Sequence, residues 1–385
     1  MSTMTDKKTR INPDIKKILL NLERLLQTPS VTGNTAEIIS LLKDQFGKMG
    51  YAAQVLPKGG LLVKIRGGAG ASGASGTSGA SGDGTGAGTN SGASTGVAFL
   101  AHVDTLGAVV KEIKSTGRLR LSRIGGYMMN AVEGENCLVE TLDGRHYNGT
   151  ILTTQSSTHI FNEATKLERN EANMEIRLDE QVHSAEDVKK LSIAVGDFVS
   201  FDPRTTITPA GFIKSRHLDD KASVAALVAA ADLLRSTAAL SSSAGTPPIY
   251  FFITVHEEIG HGASAGLPSD VGTVLAVDMG VAGEGQTSDE YSVCICAKDS
   301  SGPYDLELRR YLTALCEKYR IPYQVDVYSY YGSDAGAALR AGRDVRTGLF
   351  GPGVNASHAY ERTHKDAIEA TVKLIVAAIL EPFNP

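Results

Sequence analysis

The chain has 385 residues, 38 basic and 43 acidic side chains, a net charge of −5 and 42% hydrophobic content. That length exceeds one ordinary core and suffices for two. The near balance of charge, with no long basic block, argues against nucleic acid or an anionic membrane surface as the main partner.

Helical periodicity covers Asn12 to Leu26. It returns from Thr35 to Met49 after a turn at Thr32-Gly33-Asn34, with Asn34 as the expected N-cap. Leu61 to Ile65 and Val97 to Ala101 read as strands. Between them, residues 67–96 contain nothing but Gly, Ala, Ser, Thr, Asn and Asp. Such a segment cannot bury enough apolar surface to offset its ordering entropy, so a flexible surface loop is expected. From about Ala108 to Ile213 short β-like pieces alternate with Gly and Asp turns: Gly117 to Leu121, Cys137 to Thr141, Gly149 to Leu152, Met174 to Leu178 and Asp197 to Phe201. Regular spacing of this kind suggests a small barrel.

The alternation of strands and helices then resumes. Ser223 to Leu234, Leu306 to Tyr319, Asp334 to Ala341 and Asp366 to Leu380 read as helices. Ile249 to Val255, Thr273 to Val277, Tyr291 to Ala297, Gln324 to Tyr328 and Val345 to Leu349 read as strands. The expected fold is α/β, a mostly parallel sheet flanked by helices, with the barrel inserted. The catalytic domain would comprise 1–107 and 214–385, and the insert 108–213. No run approaches the ~18 apolar residues that span a bilayer. The polar start Met1 to Arg10 lacks the apolar core of a signal peptide. Cys137, Cys294, Cys296 and Cys316 lack Cys-x-x-Cys spacing, so packing roles and a reducing cytoplasm are expected.

Five short segments carry ligand-type residues at strand ends or loops. His102 and Asp104 are two apart at a strand end, which suits a metal-bound imidazole held by a carboxylate; a surface pair without a metal would look the same. Asp219-Asp220 precede the Ala-rich helix, either as first-turn charges or with one acid bridging metals. Glu257-Glu258 follow the apolar run ending at Val255. Adjacent like charges cost energy unless something cationic offsets them. Asp278 ends another apolar strand, and His358 lies in a loop before the last helix. Together they form the mixed N and O donor set of a two-metal hydrolytic site, suited to zinc, cobalt or manganese.

The order His-x-Asp, Leu-Asp-Asp, Glu-Glu, Val-Asp and Ser-His resembles metallopeptidase family forty-two, the tetrahedral and glutamyl aminopeptidases and the cellulase M-like proteins. The resemblance runs from about Ile15 to Leu380. Ser215 to Lys221, Asp299 to Pro303 and Ser357 to His364 are most similar to the branch linked to the osmoprotectant N-acetylglutaminylglutamine amide. The resemblance implies a zinc-aminopeptidase-like fold and two divalent ions per subunit, zinc first, with cobalt or manganese as alternatives. It implies His102 and Asp278 on one ion, Glu258 and His358 on the other, and Asp219 bridging. Glu257 is then the general base, Asp104 orients His102, and the Asp219-Asp220 peptide is cis. The inserted barrel would mediate homo-oligomerisation, from dimer to dodecamer.

His256 and His261 depart from the common family pattern, as pocket-shaping residues or, less simply, a third ligand. Arg346, Arg362 and Ser333 are candidate polar pocket residues, although surface roles are the simpler expectation for each. The expected activity is hydrolysis of N-terminal residues from peptide or dipeptide-like substrates. The same residues would serve an amidohydrolase of small acylated or amidated dipeptides. A glycoside hydrolase has no use for metal ligands in its two-carboxylate chemistry, and an inactive oligomeric scaffold would not need the complete ligand set.

Overall fold

The apolar runs Ile249–Thr254, Gly96–His102, Val271–Val277 and Arg346–Asn355 lie side by side as the parallel centre of a mixed 13-stranded sheet. They are buried almost throughout, as a parallel sheet covered on both faces requires. The computed structural model describes residues 11–67, 96–235 and 247–383. The loop expected at 67–96 therefore lies, except for its end residues, outside the described residues.

Alternation along the strands sends side chains into two separate cores. Phe99, Phe251, Leu275 and Phe350 face the helices Ile15–Gln27, Ala36–Lys48, Leu218–Leu234, Leu306–Tyr319 and Lys365–Leu380. Ala98, Leu100, Phe252 and Ala276 face the opposite side, which the helix Asp334–Arg340 covers through Ala335 and Ala338. Leu218–Leu234 crosses the middle of the first core and is buried nearly all round, consistent with its Ala-rich, weakly amphipathic sequence. Phe99 meets Phe251 edge to face, with centroids 5.8 Å apart, a geometry that contributes about 0.5–1.5 kcal/mol beyond area burial.

At the two ends of the main strand path the sheet turns antiparallel. Leu61–Arg66 and Ala52–Val55 extend one side. Glu361–His364, Phe212–Ser215 and Thr206–Ile207 extend the other. Asn34 does not cap the second helix. Thr35 occupies the cap position without a side-chain bond, and Asn34 Nδ2 instead donates to Glu140 Oε2 at 2.8 Å.

In sequence between Gly96–His102 and Thr206–Ile207, a closed six-stranded barrel forms, in the order Gly107–Ile113, Leu119–Ile124, Met174–Leu178, His146–Thr153, Asn136–Glu140 and Phe198–Phe201. It has its own core of Val110, Leu121, Val139, Ile151, Ile176 and Val199. Its last strand is Phe198–Phe201, and the two strands that follow belong to the large sheet. Entry and exit strands pair with each other, Ala108 opposite Val199. Among the described residues no helix is long and apolar enough to cross a membrane.

Candidate metal centre

Parallel register sets Thr254 level with His102 and Val277 level with Phe350. The central strands therefore end at one edge, the carboxyl edge where open α/β sheets bind ligands. His102 closes its strand there and is 2% exposed. Asp278 follows Val277, and its Oδ1 accepts from the Met279 N–H at 2.7 Å. Glu257 and Glu258 open a 3-10 turn just beyond Thr254. Asp219 and Asp220 begin the central helix with non-helical backbone angles and a cis peptide between them, as the family resemblance implies. His358 sits in the loop after Arg346–Asn355, with φ of 63°.

These segments converge on Asp219. His102 Nε2 lies 3.0 Å from Asp219 Oδ1, and ligand atoms of His102, Asp219 and Asp278 all fall within 4.8 Å of one another. His358 Nε2 lies 3.4 Å from the other oxygen, Asp219 Oδ2, and 3.5 Å from Glu258 Oε2. One carboxylate thus presents its two oxygens to two histidines on opposite sides. Glu257 Oε2 approaches to 3.8 Å of His102 Nε2 and faces the same space.

Asp104 does more than the sequence suggests, and in a different way. Its backbone carbonyl is the closer partner of His102 Nδ1, at 3.0 Å, with the carboxylate Oδ1 at 3.6 Å. That carboxylate accepts from the N–H groups of Glu257 and Glu258 at 3.2 and 3.4 Å, and from Thr32 Oγ1 at 2.6 Å. It fixes the turn that carries the two glutamates.

Burial and mutual repulsion set the protonation of the cluster. Burial first, then the charge of Asp219, pushes Glu258 up to about 8 and Asp278 up to about 7. Glu257 is raised well above the glutamate range by burial, with Asp278, Asp334 and Glu258 adding to it. Burial would lower His358, but Asp219 and Glu258 hold it up at about 10. Burial likewise opposes protonation of His102, which Asp104, Asp219, Glu257 and Asp278 hold well above the imidazole value. Excess negative charge in a buried space, faced by imidazole nitrogens, is the environment a divalent cation stabilises. Arg123 is the one Lys or Arg among the described residues lining the cleft, so no lysine or arginine stands between the carboxylates. The donors present fit a divalent metal.

The cleft over the cluster encloses about 740 Å³. Its walls include Gly126, Tyr127 and Met128 from the barrel, and Tyr330 and Tyr331 from the loop before the helix Asp334–Arg340. Several organising groups escape a reading of the sequence. Glu361, 2% exposed, accepts from the backbone N–H of Asp219 and of His358, both at 3.1 Å. Ser357 Oγ donates to Asp219 Oδ2 at 3.0 Å. The Gly126 carbonyl meets His358 Nδ1 at 2.5 Å. Asp334 accepts from Thr254 Oγ1 and, at 2.7 Å, from the Ala263 N–H, so it ties both ends of the segment bearing the glutamates. Their signals are weak, because each acts through a backbone atom or a lone side chain outside any cluster.

None of Arg346, Arg362 and Ser333 lines the cleft. Arg346 pairs with Asp305, Arg362 with Glu290, and Ser333 with Tyr304. His256 and His261 stack on each other, centroids 5.1 Å apart, and neither belongs to the metal cluster.

A helix-flanked sheet with acids and imidazoles gathered at its carboxyl edge, plus an inserted barrel, defines a class of hydrolase architecture, and comparison with known proteins narrows it. The model of the M42 glutamyl aminopeptidase family matches residues 84–374. A Bacillus subtilis protein named "Putative aminopeptidase YhfE" is 45% identical over 370 residues, covering 96% of this chain and 99% of its own. An aminopeptidase from the archaeon Desulfurococcus kamchatkensis superposes with a TM-score of 0.79 at 21% identity, over 95% of each chain. The Pyrococcus horikoshii TET1 peptidase, described as assembling into a tetrahedron or a large octahedral shell, gives 0.77 at 22% identity over 94% of this chain and 98% of its own. At such identities the structures share the fold. The chain belongs to the M42 peptidase family.

Proposed function

We propose that the protein is an aminopeptidase with a dinuclear metal centre. His102 and Asp278 would hold one divalent ion, His358 and Glu258 the other, and Asp219 would stand between them. The observation that carries this reading is the division of Asp219, one oxygen toward each histidine. Divalent ions bound there supply the Lewis acidity that acidifies a water and polarises an amide carbonyl. Zinc, cobalt and manganese suit the imidazole and carboxylate donors.

Glu257 is the general base. Its carboxylate faces the cluster beside His102, with Oε2 3.8 Å from Nε2. It takes the proton of the attacking water and returns it to the leaving amine. Asp104 holds its backbone N–H, so the carboxylate starts from a fixed turn.

Glu257→Gln tests the reading. Bound metal should stay at the wild-type level while turnover falls by about 10²–10⁴. Near-wild-type turnover would remove Glu257 from the mechanism. Substrates should include aminoacyl amides, free dipeptides and N-acylated dipeptide amides. Cleavage confined to the N-acylated set would redirect the assignment to an amidohydrolase.

The barrel is proposed as the assembly element of a homo-oligomer. Leu142, Ile160 and Val195 between or beside its strands are 99%, 74% and 66% exposed, apolar side chains that a subunit interface would cover. Light scattering should give a multiple of the 40.6 kDa chain mass; a monomer at micromolar concentration would exclude this role.

A further inference from the structure

The His358 half of the centre is built across the junction between sheet and barrel. His358 comes from a loop of the large sheet, yet its Nδ1 faces the carbonyl of Gly126 in the barrel. That bond fixes the ring orientation only while loop and barrel keep their relative position. One buried guanidinium spans the junction. Arg216, 4% exposed, donates from Nη1 to the Ala359 carbonyl at 3.0 Å, one residue from His358. Its Nη2 donates to the Ala131 carbonyl and lies 3.1 Å from Glu135 Oε1, both on the barrel side. Glu135, 7% exposed, also pairs with Arg204, Nε to Oε2 at 2.9 Å. Arg204 in turn lies over the Tyr360 ring at 4.2 Å, and Tyr360 Oη donates back to the Arg204 carbonyl at 2.8 Å. Both arginines that hold Glu135 therefore also hold the His358 loop.

We infer that the buried Glu135–Arg216 pair is a positioning unit for His358, making the second ion's affinity depend on how the barrel is seated. The inference rests on the two-ion reading above. A planar guanidinium is suited to the task, because its fixed fork reaches three oxygens on two segments at once. A lysine keeps the charge but offers a point donor. The His102 half depends on the barrel less directly: Asp104 and Asp278 come from the large sheet, and only the shared Asp219 is tied to the His358 loop, through Ser357 and Glu361.

The test compares metal-free wild type, Glu135→Gln, Arg216→Lys and His358→Ala by cobalt(II) titration. Bound ion is measured by equilibrium dialysis and by the visible absorption of the metal, with thermal midpoints recorded alongside. Wild type should take up two ions and His358→Ala one. Glu135→Gln and Arg216→Lys should keep the first binding step and weaken the second by about 10–100-fold, the usual effect of losing an outer partner of a metal ligand. An unchanged second step overturns the inference. So does equal weakening of both steps, which marks general loosening of the fold. Should Glu135→Gln fail to fold, Arg216→Lys, which retains the buried charge, decides alone. Uptake of a single ion by wild type would refute the dinuclear reading itself.

Discussion

Stripping the protein of divalent ions should invert its response to pH. Ordinary folds gain stability as their carboxylates ionise on leaving the acid range. Here Glu258 rises from 4.5 to about 8 and Asp278 from 3.8 to about 7, burial being the larger cause of each. Between those limits the folded state holds protons that the unfolded chain has released. Stability is thus present below the unfolded values and lost as pH climbs through the folded ones. His358, raised from 6.5 to about 10, acts in the same direction over a higher window. Asp219 is shifted the other way, below its ordinary 3.8, and so acts only at stronger acidity. Because these groups share one site, a single rise of about three pH units at ~1.4 kcal/mol each is a fair measure, roughly 4 kcal/mol. With about 2 cal/mol/K of unfolding entropy per residue, a chain this long would lose roughly 5 °C in Tm between pH 5 and pH 9. The assay is thermal unfolding of chelator-treated protein across that range, beside the same protein reloaded with zinc or cobalt. The reloaded form should gain on the stripped form as pH rises, because its ligands bind metal only when deprotonated. A stripped protein whose Tm is flat or rises from pH 5 to pH 8 would refute the buried, mutually repelling carboxylate cluster.

Two substitutions probe the walls of the site. At Gly125, with φ of +83°, an added Cβ would lie 2.4 Å from Leu106 Cδ2 and 3.7 Å from Glu258 Cβ; Gly134, with φ of +82°, has nothing within 4 Å. Both alanine variants should lose about 1–2 kcal/mol from the left-handed backbone, but Gly125→Ala alone should also lose activity, and equal kinetics in the two would separate Gly125 from the site. Thr32→Val removes the bond to Asp104 Oδ2 and should cost about 1.5–3 kcal/mol in urea unfolding, with kcat falling and KM unchanged; Thr32→Ser should restore both, and an unaffected kcat would show that Asp104 does not govern the glutamate turn.

The legible part of the site is the part made of side chains at the ends of apolar strands. His102, Glu257, Glu258 and Asp278 stand where a hydrophobic run stops, and parallel pairing brings such ends together. Asp219 was visible because two consecutive acids before an Ala-rich helix exceed what capping needs. His358 is different: its left-handed loop has no periodicity, and only its ligand-type side chain before the last helix marked it as the fifth segment. Glu361 and Gly126 were hidden because they act on or through the backbone, a contact no spacing of side chains records. The first barrel strand, Gly107–Ile113, was also missed. It begins directly after the His102–Asp104 motif, with no turn between Leu106 and Gly107 to mark a boundary. The antiparallel flanks of the sheet are set by pairing across large sequence distances, which local alternation cannot report.

The division of Asp219 between two histidines has a consequence for how the chain reaches its native state. His102 and Asp219 are 117 residues apart in sequence, and His358 lies beyond three further strands of the central sheet. These groups meet only after several long loops have closed, and loop closure precedes the contacts that reward it. The unfolded chain therefore has no preformed share of this cage, unlike a zinc finger, whose ligands lie close in sequence. An ion held here recognises the finished sheet. Its influence falls on the rate of unfolding rather than on the rate of folding, which makes it a latch on a door already shut.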